Sequence, residues 1–133
     1  MSDDGIPEDI KRFIHGHIDS VAKLEALLLL RNQPEQAWDP ERLARRLYVS
    51  ASETGQILND LAASALCVPV AAQSRQYHYQ PTTAELRNLV ERLADLYSRR
   101  LIPVTNLIHQ RASGKSSAQQ FADAFKLRKE KDS

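Results

Sequence analysis

Apolar residues in the first third of the chain recur three and four positions apart. Ile10, Phe13 and Ile14 follow Pro7 and predict a short helix over about 6–16 that ends near Gly16. From about Ser20 to Asn32, Val21, Leu24, Leu27 and Leu28 mark a core face. Leu29 and Leu30 make this helix apolar nearly all round, as suits a central element. The segment AWDPERLARRL announces another helix, with Asp39 as cap, Pro40 at the first helical position and Trp38 placed to staple onto Leu43. Its inward positions are Leu43, Ala44 and Leu47, and Arg42, Arg45 and Arg46 project outward. Tyr48 to Ser50 form a turn. Ser50 and Glu53 then make a capping box for a helix that turns Ile57, Leu58 and Leu61 inward and Ser52, Glu53, Gln56, Asn59 and Asp60 outward.

After about Ala65 the period changes from helical to extended. LCVPVAA and RQYHYQP are two short β-type runs separated by Gln73, Ser74 and Arg75, which predicts a hairpin. Thr82 and Glu85 form a second capping box. It opens a long helix whose stripe runs through Leu86, Leu89, Val90, Leu93, Leu96 and Tyr97. At Pro103 that helix either kinks or stops and restarts through Val104, Leu107 and Ile108 to about Arg111. Ser113 to Ser116 suit a linker. Beyond them Ala118, Phe121, Ala122 and Phe125 form a small apolar helix face with a basic end, suited to docking on this chain, a second copy or another protein. The expected fold class is mainly α with a small β-hairpin, in one domain over 1–112 followed by a linker and docking helix over 113–133.

The length of 133 residues supports one core, and 42% hydrophobic with 26% charged residues is a globular composition. The longest apolar run, Ala26 to Leu30, is far short of a membrane span. The acidic opening MSDDGIPEDI is unlike a secretory signal, so a cytoplasmic location away from membranes is expected. The formal net charge of +1 conceals an asymmetry. Residues 1–66 carry 7 Lys and Arg against 11 Asp and Glu, and residues 67–133 carry 11 against 6. The predicted turn and outward helix face thus lie in the acidic half.

Little in the chain points to catalysis. A single Cys67 excludes an internal disulfide; its apolar setting in LCVPV favours an inert structural thiol, with peroxide sensing as the alternative. RASGKSS lacks the upstream glycine and strand of a phosphate-binding loop. His15 and His17 in HGH lack the cysteines of a common zinc pattern. No enzymatic activity, metal or cofactor is expected.

The order helix, helix, tight turn, helix and hairpin over about residues 20–80 resembles the winged helix-turn-helix fold. Ala44 with the turn Tyr48 to Ser50 matches the small-residue-then-turn pattern, Ser52 to Ser64 the recognition helix, and Gln73 to Arg75 the wing tip. With helices on both sides, the whole is similar to dimeric bacterial transcriptional regulators of the MarR and PadR type. That resemblance implies a recognition helix in the major groove of double-stranded DNA and a wing along the minor groove or backbone.

The candidate contacts divide by chemistry. Gln56 and Asn59 have amide geometry suited to adenine edges, Ser52 and Thr54 suit phosphates, and Arg42, Arg45, Arg46 and Arg75 are the candidate phosphate-neutralising cations. The outward helix face contains no Lys or Arg, so the arginine-to-guanine contact is unavailable there. A DNA-binding regulator is the expected function. A winged-helix module for protein contact is the alternative, favoured by the acidic Glu53 and Asp60. The apolar stripe from Leu86 onward, continued by Leu101, Ile102 and Leu107, further predicts a homodimer.

Overall fold

The computed structural model describes residues 5–115 except 73, with side chains as far as 110. In chain order the elements are α1 (Glu8–His17), α2 (Val21–Asn32), α3 (Pro40–Leu47), α4 (Ala51–Ala63), β1 (Cys67–Pro69), β2 (Tyr77–Tyr79), α5 (Ala84–Arg99) and α6 (Leu101–Lys115). This is the mainly helical class with a small antiparallel hairpin that the periodicity predicts, and its order is compatible with a winged-helix layout. Among the described residues no helix is long and apolar enough to cross a membrane. Gln73 and the segment 116–133, with Phe121 and Phe125, lie outside the described residues.

α2 is the central element. Leu24, Ala26, Leu27 and Leu30 are buried on it and Leu28 and Leu29 pack half-buried against the same core. α3, α4 and β2 pack around it. α1 buries Ile10, Phe13 and Ile14 and packs on α5 and α6. The N-terminal caps follow the local chemistry: Ser20, Asp39 and Ser50 each accept a bond from the backbone N–H three residues on.

α4 ends without glycine. Ala65 takes the left-handed conformation (φ 66°) while its N–H donates to the Ala62 carbonyl and the Leu66 N–H to that of Leu61. Those two bonds close a Schellman motif, and the buried pair Leu61 and Leu66 supplies its hydrophobic contact.

Three expectations are corrected. The α5 cap is Thr83, whose Oγ1 accepts from the Leu86 N–H, and the Thr82 N–H that a capping box would offer to Glu85 donates instead to the Ala65 carbonyl. The long helix breaks at Arg100, ahead of Pro103. A continuous helix would set the proline ring against the Arg99 carbonyl, whereas in the first turn of α6 the missing N–H costs nothing. α6 also continues to Lys115, so helical backbone covers 113–115 where composition suggests a linker.

The stripe on α5 is largely consumed within the chain. Val90, Leu93 and Leu96 are buried, and Leu86, Leu89, Tyr97 and Leu107 are half-buried against the core. Leu101 and Ile102, at the corner between α5 and α6, remain exposed. A charge at Leu93 therefore attacks this chain's own core rather than a contact between copies.

Polar clamps hold α5 to the helices beneath it. Arg92 donates two bonds to Asp9 (2.7 and 3.0 Å), and Arg31 donates two to Glu91 (3.0 and 2.6 Å). Tyr97 donates to Glu25 at 2.7 Å; burial first, then that carboxylate, pushes the phenol up to about 12. The arginine bonds hold both the Asp9 and Glu91 carboxyls below the usual range.

Two backbone sites predict stabilising substitutions. Ala65→Gly removes a left-handed Cβ and should add about 1 kcal/mol. In Gly55→Ala the new Cβ meets Pro40 at an ordinary 3.7 Å, and the gain in helix propensity should add about 0.5–1 kcal/mol. Urea midpoints that rise with unchanged slope would bear this out, and a fall in either would refute the assigned backbone geometry.

The carboxylate clamps give a pH dependence. Because the folded-state values are depressed, their stabilisation is fully present above the ordinary carboxylate range near pH ~4 and lost as pH falls through the folded values. Unfolding free energy measured from pH 7 downward should decline in that acid window, and Glu91→Gln should flatten part of the decline.

Candidate nucleic-acid interface

The hairpin is joined to the helices by one backbone exchange. The Trp38 N–H donates to the Tyr77 carbonyl and the Tyr77 N–H to the Trp38 carbonyl, both at 2.8 Å. Trp38 thus acts as a one-residue third strand beside β2. Tyr77 directs both backbone groups away from β1, so its partner Pro69 loses no ladder bond by lacking an N–H. The bond from the Val70 N–H to the Gln76 carbonyl continues the ladder, leaving a longer loop than the three residues expected.

The cap at Asp39 sets the direction of α3 and with it the arginines. Arg42, Arg45 and Arg46 are all exposed, as their helical spacing predicts. The guanidinium carbons of Arg42 and Arg46 each stand 5.9 Å from the Trp38 ring centroid, which restrains both side chains near the hairpin. α3 then ends at Tyr48, left-handed with φ 61° and ψ 38°, before Ser50 caps α4.

On α4, Ser52, Glu53, Gln56 and Asn59 are exposed. Thr54 corrects the expectation of a phosphate contact. It is fully buried and its hydroxyl donates to the Ser50 carbonyl at 2.8 Å, so it secures the first turn instead. Asp60 is compensated rather than bare. The buried Lys23 ammonium lies 3.0 Å from both Asp60 and Asp19, and Gln56 donates to the other Asp60 oxygen at 3.0 Å. Glu53 is left as the exposed acid of the first turn.

Gln56 and Asn59 line an open depression with Ser74 and Arg75 of the hairpin loop, floored by Pro40 and Gly55. Three of the expected contacts are thereby brought together from α4 and the hairpin. Arg75, however, donates to Glu41 at the start of α3 at 3.2 Å. Both partners are more than half exposed, so the pair is weak and open to competition. Its partners stand 34 positions apart and no local pattern signals it. Lys23 is more legible, since Asp19 precedes it by four.

Other candidate chemistry falls elsewhere. A His17 ring nitrogen lies 2.9 Å from the Ser64 hydroxyl, tying α1 to the end of α4. No group of three or more His, Cys, Asp or Glu placed to hold a metal occurs among the described residues. Burial pushes the Cys67 thiol up to about 12, and it points at the Leu58 carbonyl. An apolar cleft between α1 and α5, floored by Pro7, Ile10 and Leu96, has a rim of charged side chains, of which Arg92, Glu91 and the Asp95–Arg99 pair are already bonded. Comparisons with protein-family models, with curated proteins and with solved structures found no significant match to this chain.

Proposed function

We propose that this chain is a winged helix-turn-helix protein that binds double-stranded DNA as a transcriptional regulator, similar in kind to the dimeric MarR and PadR type. The observation that carries this reading is the shared depression in which Gln56 and Asn59 of α4 meet Arg75 of the hairpin loop. Amide side chains suited to base edges and a cation suited to a phosphate lie side by side on an open concave surface. Arg42, Arg45 and Arg46 add exposed positive charge on the neighbouring helix. Lys23, shared between Asp60 and Asp19, reduces one of two acidic objections to a DNA-facing α4. The second reading, a protein-contact module, draws on exposed Glu53 and on the engagement of Arg75 by Glu41.

Duplex binding measured by fluorescence anisotropy at two salt concentrations, with the protein's own upstream region beside random DNA, tests the choice. Each phosphate neutralised contributes about 0.9 to the salt slope, so Arg45→Ala and Arg46→Ala should each lower it by roughly one. Gln56→Ala and Asn59→Ala should alter sequence preference more than slope. Glu41→Gln frees Arg75 and should strengthen binding about twofold, on the scale of an exposed ion pair. If no duplex is bound at low salt, the protein-contact reading replaces this one.

A homodimer would set two α4 helices on successive half-sites about 34 Å apart. Exposed Leu101 and Ile102 supply the apolar surface for it at the corner between α5 and α6. Light scattering should give twice the 15.0 kDa chain mass, with Ile102→Asp returning the single mass. A single mass for the unmodified chain at micromolar concentration would remove the dimer.

A further inference from the structure

Tyr48 is a large aromatic residue placed where the backbone favours glycine. It ends α3 in the left-handed region, with φ 61° and ψ 38°, and its N–H is bound to the Ala44 carbonyl at 2.8 Å. Left-handed backbone is disfavoured for bulky side chains because Cβ approaches the following carbonyl oxygen. Ordinarily such strain is offset by packing. Here the side chain is 93% exposed, so its ring contributes almost nothing to the core. Ala65, the other non-glycine with positive φ among the described residues, bears a small side chain and closes a buried motif. A residue that costs the fold and buries nothing is a candidate for contact with something outside it.

The surroundings indicate what that something is. Arg45 and Arg46, exposed in the last turn of α3, stand three and two residues before the tyrosine, and Ser52 follows on the first turn of α4. The exposed carboxylates on the same two helices are Glu53 and Glu41, the latter four residues before Arg45 and engaged by Arg75. Arg45 shares the last turn of α3 with the tyrosine, and the Arg46 guanidinium lies over the Trp38 ring at 5.9 Å; arginine and tyrosine are both regular hydrogen-bond donors to the phosphodiester backbone. We infer that Tyr48 is a backbone-positioning residue for duplex DNA, its hydroxyl donating to a phosphate oxygen while Arg45 and Arg46 neutralise the charge. This rests on the DNA-binding reading and extends it to a residue outside the expected contact set. The contact sets how the turn, and α4 behind it, registers on the duplex. It adds no charge, so it leaves the salt slope alone.

Fold and contact pull in opposite directions at this position, which makes the inference testable on the full chain. Tyr48→Gly should melt higher than the parent, by about 4 °C, because glycine adopts the left-handed turn without strain. The same variant should bind duplex about tenfold more weakly, the scale of one hydrogen bond to a charged group. Tyr48→Phe, which keeps the ring and loses only the hydroxyl, should show a comparable loss with an unchanged salt slope. Parent-like binding by both variants overturns the inference and leaves the DNA reading standing. A lower melting temperature for Tyr48→Gly also overturns it, since the tyrosine would then support the fold. A parent chain that binds no duplex at low salt overturns both, and an acidic protein surface becomes the partner that the turn's charge fits.

Discussion

The reciprocal backbone exchange between Trp38 and Tyr77 is the constraint on which the candidate surface depends. The hairpin strands are three residues each, and a two-stranded ribbon of that size has little stability of its own. Pairing β2 with Trp38 on its far side anchors the ribbon to the residue just before the α3 cap. The hairpin and the start of α3 then move as one piece. Since α3 packs on α4, the loop that carries Arg75 is held at a defined place beside Gln56 and Asn59. The buried indole also provides the ring over which Arg42 and Arg46 lie. One residue thus couples hairpin geometry to the placement of two cations.

What was legible in the sequence was mostly local. Caps at Asp39 and Ser50 and the inward faces of α1 to α4 follow from spacing and capping chemistry over three or four residues, and the structure has them where the pattern puts them. Several of the misses involve interactions over longer separations. Thr82 has the pattern of a cap, yet a carbonyl 17 positions earlier holds its N–H. Thr54 looks like an outward hydroxyl, but its helix faces α3 closely enough to bury it. The α5 stripe suggested surplus apolar surface because nothing in its own segment reveals that α1 and α6 cover it. For the candidate site, residue types were readable and their assembly was not. The approach of Arg75 to Gln56 and its pairing with Glu41 are products of the folded chain.

Formal charge is a poor guide to the charge this surface presents. The C-terminal half has the basic excess, yet Arg75, Arg92 and Arg99 each have a carboxylate partner in the structure. In the acidic half, Lys23 offsets Asp60 from beneath. Around α3 and α4 the exposed cations Arg42, Arg45 and Arg46 stand against Glu53 and against Glu41, which Arg75 engages.

Cys67 has a practical consequence beyond packing. Its thiol is sealed between α4 and the hairpin, and burial keeps it protonated at any physiological pH. An alkylating reagent needs an exposed thiolate, so modification in the native state must wait until the hairpin lifts from α4 or the chain unfolds. With one cysteine in the whole sequence, every modification event reports exposure of that one site, by either route. The chain therefore carries its own clock for that exposure, readable by mass without introducing a label into the fold.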